Sequence, residues 1–355
     1  MTVSDFYLLR PQDLPTSARA LAPEPGGAAA AALATVLDGP RDRSDEEELA
    51  VLRAALRTLG FSPAEVAVVT DDPEESAGNR ANDSAFRFVR VRGEVSRVLT
   101  HSVLQGYATL LEEALTTGTD LSPERWWLLR GALRQLLRLV SGDVTALHEQ
   151  RGPGTPRLPA RPTAYRNNEA LRRWTRGHHV FMVIVQGLVI TLNGFAHHAR
   201  RGEIPEAQRM LEVGTVVMWG AEGALRFTGD FPYSEYQRSI RPTLMPPTAP
   251  PDMSGLRWRD HEYLVRVLAG MRSLFARLDP QLEPQRARFL EAFTATYDSH
   301  RSVCAHFVGT EQTSVLMATR SSRSAVSTLE HFKRVRSGLM RAREQDRGDD
   351  SGTVS

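Results

Sequence analysis

An all-α fold is predicted from three features of the chain. Apolar residues step by three or four along several segments. The most regular stripes are His261, Leu264, Leu268, Met271, Phe275, Leu278 and Leu290, Phe293, Tyr297, His300, Cys304, Phe307. Helix start and stop residues bracket such segments, as where Ser44-Asp-Glu-Glu-Glu48 opens a run that Gly60 stops. Strand-type alternation, by contrast, is scarce outside Phe86–Val91.

Each element follows from local chemistry. Residues 11–45 are rich in Pro, Gly and Ala and hold one short helix around Ala28–Leu37. A helix capped by Ser44 runs through Leu59, while Asp71–Ser84, polar and without periodicity, predicts a loop. Helices follow over Val95–Thr116 and Pro123–Val140. A connector with the run Gly152-Pro-Gly-Thr-Pro156 covers Ser141–Tyr165. Arg172–Arg200 and Pro205–Trp219 read as helical. Within the former, Phe181–Ala196 is the most apolar stretch, but its 16 residues include Gln186, Thr191 and Asn193. That is short of the roughly 20 apolar residues a lipid span needs, so a helix buried on all sides is expected.

Phe227–Ser254, with six prolines from Pro232 to Pro251, predicts a long irregular loop, and ordered loops of that length are usually functional. Asp260 is the expected cap of the first striped helix and Gly309 the stop of the second. A last helix spans Ser324–Arg341. The resulting division is an N-terminal Pro/Ala-rich region over 1–84 with one or two helices, a helical body over 85–341, and a disordered tail over 342–355.

A length of 355 residues suits one large domain or two ordinary ones. With 41% hydrophobic and 24% charged residues, disordered, collagenous and coiled-coil classes are excluded. Lys plus Arg total 44 against 42 Asp plus Glu, and the arginines are scattered, so no nucleic-acid partner is expected. Lys333 is the sole lysine. The single cysteine, Cys304, excludes an internal disulfide, a Cys-rich zinc site and a Cys-ligated iron–sulfur cluster. Met1–Leu14 has no apolar signal core, so a cytoplasmic, non-membrane placement is expected.

The chemistry concentrates in the two stripes. Each carries a histidine, His261 or His300, where the pattern asks for a hydrophobe, and the second also holds Cys304. Four residues on a helix place His300 and Cys304 on one face, about 6 Å apart along the axis. That separation is close to the distance from a porphyrin iron to a vinyl group. A heme under this helix could thus take His300 on iron and Cys304 as a thioether, with His261 on the opposite axial position. Two other readings remain open at this point: three packed core residues, or a zinc site, poorer for lacking a carboxylate.

The run His300-Arg-Ser-Val-Cys304, with His261 separated from His300 by 38 residues, resembles the His-x(n)-His-x-x-x-Cys pattern of the saframycin-pathway heme-dependent tyrosine 3-hydroxylase family, within the tryptophan 2,3-dioxygenase superfamily of heme-dependent aromatic oxygenases. His179-Val-Phe-Met-Val-Ile-Val-Gln186 is similar to the superfamily's buried helix, and Phe227–Leu244 to its Tyr-x-x-x-Ile-Arg-Pro pocket segment. Together these cover roughly residues 170–315. In the dioxygenases a histidine precedes that glutamine. Val185 stands here, so neither ring cleavage nor a distal base at that position is implied.

The resemblance implies a helical heme-binding catalytic domain over 85–341. His300 would be the proximal iron ligand, His261 the second axial ligand and Cys304 the single thioether anchor. It further implies one oxygen inserted ortho to the phenol of a tyrosine derivative, 3-methyl-L-tyrosine to 3-hydroxy-5-methyl-L-tyrosine, in tetrahydroisoquinoline antibiotic biosynthesis. The oxidant would be dioxygen with ascorbate or another reductant, or hydrogen peroxide. A homo-oligomer, most simply a dimer, is also implied. Arg241 and Arg238 are candidates to fork onto the substrate carboxylate, with Tyr236 pointing into the same pocket. His178, His179, His197 and His198 bracket the buried helix as structural or exposed residues, one of which could bond a propionate or the phenol. Trp258 and His306 are read as packing residues. The alternative function is a bis-histidine heme electron-transfer or sensor protein.

Overall fold

The computed structural model of the protein describes residues 3–17, 20–40, 43–146, 168–249, 258–308 and 324–341. The expected stop at Gly309, most of the 141–165 connector and the 342–355 tail lie outside them. The fold is all-α, with one small sheet at its edge. The helices are α1 (Ala28–Leu37), α2 (Asp45–Leu59), α3 (Ala77–Ala85), α4 (Val95–Thr117), α5 (Pro123–Val140), α6 (Glu169–Arg200) and α7 (Ile204–Thr228). After them come the short turn α8 (Tyr233–Glu235), α9 (Arg259–Gly270), the short α10 (Arg272–Phe275), α11 (Glu283–Val308) and α12 (Ala325–Gly338). Strands β1 (Phe6–Leu9), β2 (Ala67–Val68) and β3 (Phe88–Arg92) form the sheet in the order β1-β3-β2. β1 runs parallel to β3, with Phe6 opposite Phe88.

α6 is the axle. Its 32 residues pack on α4, α7 and α9, and the apolar stretch from Val180 to Ala196 is almost wholly buried. It is long and apolar enough to cross a membrane, yet 89% of its apolar window is covered by the rest of the fold. It is therefore a core helix, as its internal Gln186 and Thr191 suggested. Close approach elsewhere depends on missing side chains. At Gly220 of α7 a Cβ would stand 2.1 Å from the Cβ of Ala132 on α5, an atom fixed to the backbone.

Three expectations need correction. The polar stretch 71–84 is not all loop, because Ser76 and Asn79 form a reciprocal capping box that starts α3. The buried side chains of that helix are Asn79, Asn82 and Asp83, so no apolar period marks it. The segment after α7 is not irregular either. α8, a π-helical turn over Tyr236–Ile240 and a 3₁₀ turn over Arg241–Leu244 follow one another, with α7 itself extending to Thr228. Pro232 immediately precedes α8 and Pro242 lies in the first turn of the 3₁₀ segment, where a missing N–H costs nothing. Asp260, finally, does not cap α9. Trp258 holds the cap position without a side-chain bond, and the Asp260 carboxylate turns into the core.

Gly220→Val should lower stability by about 1–3 kcal/mol, the usual cost of overpacking, since α5 and α7 must part to admit it. Gly270→Ala, where a Cβ meets nothing within 4 Å, should leave stability unchanged or raise it by up to about 1 kcal/mol. Urea unfolding of the two variants beside wild type measures both.

Candidate functional site

The two histidines of the stripes sit on helices with different floors. α9 is seated on α6 and α11 on α7, and α12 lies against both. Each histidine follows a buried residue that is tied into the core. Before His261, the fully buried Asp260 accepts from Arg90 Nη2 at 2.6 Å and from Gln186 Nε2 at 2.8 Å. Before His300, Ser299 donates to Glu222 at 2.5 Å, and Thr296, a turn earlier, donates to the Met218 carbonyl at 3.2 Å. The rings are thereby aimed by neighbours that cannot move.

Both imidazoles are neutral. Burial, with the nearby Arg336 guanidinium second, pushes His261 down to about 3 and His300 to about 4. Arg336 Nη1 on α12 donates to His261 Nε2 at 3.2 Å and also bonds the Tyr297 hydroxyl. Nε2 of His261 is thus an acceptor whose lone pair Arg336 engages, and the proton resides on Nδ1, which is buried without a partner among the described residues. His300 makes no hydrogen bond among the described residues, and its charge state is felt by both His261 and His178. Cys304, one turn beyond His300, is mostly shielded, and burial raises its thiol to about 11. It is a free thiol, protonated at neutral pH.

Around Cys304 the wall is aromatic. Tyr236 stacks on Phe307 with centroids 4.7 Å apart, Phe231 stacks on the other side of the run at 4.9 Å from Phe307, and the Tyr236 phenol senses Cys304. The structure therefore brings Tyr236 to Cys304, and Arg241 is near enough to influence the same phenol. Arg241 Nη1 donates to the Gln237 side chain at 3.0 Å. Arg238 is placed elsewhere. Its side chain is 67% exposed and pairs with Glu235 along its own turn, an arrangement that leaves it facing solvent.

Sequence reasoning missed Arg336, whose signal is faint: one arginine among many on a helix of low apolar content. It also did not single out His178 from the four histidines of the buried helix, one of which it allowed to bond a propionate or the phenol. His178 Nδ1 contacts the Trp174 carbonyl at 2.6 Å, and its ring stacks on Trp258 at 5.3 Å. His179 points the other way, with Nε2 donating to the Phe86 carbonyl at 2.7 Å. His197 and His198 lie roughly 28 Å along α6 from His178. With Glu203 they bring metal-ligating atoms within 4.8 Å of one another, remote from this site.

His300, neutral and without a hydrogen-bond partner among the described residues, and the shielded thiol of Cys304 one turn on form a donor set that fits a heme, which His261 would join once Arg336 releases its Nε2. Comparisons with known proteins identify the family. The SfmD 3-methyl-L-tyrosine peroxygenase family profile matches residues 7–285. The chain belongs to that family. A 3-methyl-L-tyrosine peroxygenase of Streptomyces lavendulae is 40% identical over 335 residues, covering 93% of this chain and 89% of the relative. A crystal structure of reduced SfmD, soaked with sodium hydrosulfite, superposes with a TM-score of 0.71 at 38% identity, covering 86% of this chain and 99% of that one.

The N-terminal end of α9 is also held by Arg259, which pairs with Asp72. Burial would raise the Asp72 carboxyl, but bonds from Arg259, the Glu74 N–H and Arg10 hold it at about 2, below its ordinary 3.8. A carboxylate depressed in the folded state stabilises above its ordinary value, and that stability is lost as pH falls from about 4 toward 2. Wild type should therefore lose stability across this window in pH-stepped urea titrations, and Asp72→Asn should lose less. Asp260→Ala, which strips one partner from a buried ion pair, should cost about 3–5 kcal/mol. Arg238→Ala should stay within about 0.5 kcal/mol by the same titration.

Proposed function

We propose that this chain is a heme-dependent peroxygenase or oxygenase of aromatic amino acids. Its reaction inserts one oxygen atom ortho to the phenol of a tyrosine derivative, with 3-methyl-L-tyrosine as substrate and 3-hydroxy-5-methyl-L-tyrosine as product. The observation that carries this reading is the pair His261 and His300, both neutral and on separate helices, with Cys304 one turn from His300. Family membership supports the substrate, since the relatives are named for it.

His300 and His261 would hold the heme iron and Cys304 would anchor the group through a single thioether. When bound, the heme supplies two-electron oxidation, using hydrogen peroxide or dioxygen with a reductant such as ascorbate. The chain's own residues set the conditions for it. Burial and Arg336 keep both imidazoles deprotonated at the ligating nitrogen across the physiological range. Ser299 and Asp260 fix the two ring positions through the core. Tyr236, Phe307 and Phe231 wall off Cys304 and limit water there.

The two ligands are not equivalent in their attachments. His300 lies mid-way along a 26-residue helix and beside the anchor, whereas His261 lies in the first turn of α9. Asp260 and Arg259 pin the backbone at the start of α9, so exchange at His261 would be a rotation of its side chain alone, whereas His300 would stay held beside Cys304. Arg241, next to the Tyr236 phenol, is the cation placed to pair with the amino acid carboxylate. Production from a tetrahydroisoquinoline antibiotic pathway, a cytoplasmic location and a homodimer fit this chemistry and the family.

Purified protein incubated with 3-methyl-L-tyrosine and peroxide, or ascorbate and air, should give a product carrying one added oxygen on the ring. Unmodified substrate under all these conditions would defeat the reading and favour a bis-histidine electron carrier. Denatured wild type should retain heme by intact mass, and Cys304→Ala should release it into acidic organic solvent. His261→Ala should keep heme and bind cyanide readily, while His300→Ala should impair loading.

A further inference from the structure

One group in this region has a fixed role that neither the ligand set nor the anchor uses. His178 Nδ1 lies 2.6 Å from the carbonyl oxygen of Trp174, a full turn earlier on α6. A carbonyl only accepts, so Nδ1 carries the proton and donates. The ring is uncharged, since burial pushes it down to about 3, with His179 and His300 also opposing a positive charge. Nε2 is then an acceptor by exclusion, and it has no hydrogen-bond partner among the described residues. The ring cannot turn away. Phe86 and Trp174 press on it at centroid distances of 4.4 and 4.5 Å, and Trp258 stacks at 5.3 Å.

Trp258 is the cap residue of α9, three positions before His261, and His300 lies near enough to oppose a positive charge on the His178 ring. The free acceptor is therefore held between the two histidine helices, inside a box of three aromatic rings. Val185 lies seven positions beyond His178, so both are on one face of α6, about 10.5 Å apart along the axis. Val185 offers no polar atom, whereas His178 supplies one two turns away.

A phenol entering this site brings one donor, its O–H, and loses water as it enters. An unpaired donor in an apolar site is costly, so a matching acceptor has to be present. His261 and His300 are committed elsewhere under the reading above, and the Trp174 carbonyl is already engaged. We propose that His178 Nε2 accepts the phenolic hydroxyl of the aromatic substrate, fixing which ring edge faces the reacting centre. This rests on the proposed function, because it needs an aromatic amino acid in this pocket. The Trp174 indole N–H is buried without a partner among the described residues, on a ring packed edge-on against His178.

The test is equilibrium binding to the heme-loaded protein by calorimetry, with 3-methyl-L-tyrosine and ring analogues in which the hydroxyl is replaced by hydrogen, fluorine or an amino group. Wild type should bind the hydroxyl and amino compounds alike, both being donors, and the hydrogen and fluorine compounds roughly tenfold more weakly. His178→Phe should bring all four to near parity by weakening only the two donors, with heme absorbance and circular dichroism unchanged. His178→Gln, which keeps a side-chain carbonyl, should restore part of the preference. A preference that survives in His178→Phe overturns the assignment while leaving the function intact. Fluorine binding as well as hydroxyl in wild type overturns it without any variant. Binding of none of the four overturns both this assignment and the functional reading on which it rests.

Discussion

The buried carboxylate of Asp260 is the contact on which the site depends. It joins three parts of the chain that are far apart in sequence: Arg90 on β3, Gln186 in the middle of α6, and α9 itself. Arg90 also forks onto Asp83 of α3 at 2.7 and 2.9 Å, so one guanidinium holds two carboxylates inside the core. Such a cluster is stable only if every member is satisfied, because each unpaired charge would cost several kcal/mol. The geometry of α9 relative to α6 is therefore all-or-none. His261, the next residue, inherits that placement.

The same device recurs throughout the molecule and explains its peculiar basic composition. Glu48 takes Arg134 and Arg43, and Glu113 takes Arg172 and Arg176 from α6. Asp45 pairs with Arg130. In each case a carboxylate with almost no solvent contact receives a planar, multi-donor cation, which an ammonium could not match in shape. A chain with 44 basic residues and one lysine thus uses many of its scattered arginines for internal pairing that registers one helix on another. The histidine helices use the principle in reduced form, with Ser299 reaching Glu222 as Asp260 reaches Arg90.

How legible this was in the sequence differs by element. Helices α1, α2 and α5 follow from their caps and periodicity almost to the residue, because Ser44, Gly60 and Pro123 act locally. α3 was invisible because its buried face is made of Asn79, Asn82 and Asp83, which periodicity counts as solvent-facing. The stripes exposed His261, His300 and Cys304 because polar residues stand out among hydrophobes. Arg336 and His178 could not be found that way. One is an arginine on a helix of mostly polar residues, and the role of the other depends on a backbone carbonyl four residues earlier.

Prolines gave the least reliable signal, and the reason bears on how the site is covered. Six prolines suggested an irregular strap, yet the segment after α7 coils into three successive short turns, the first and last of which start at a proline. A proline at the start of a turn supplies a preset φ and sacrifices no hydrogen bond, so it organises the chain instead of loosening it. The consequence is a stiff wall. Phe231, Tyr236 and Ile240 are buried, and the first two stack through Phe307 onto the end of α11 beside Cys304. A thiol walled in this way meets little water, and burial is what raises its acidity constant. Inertness toward other reagents and availability to a group that fills the pocket are then the same property of the fold.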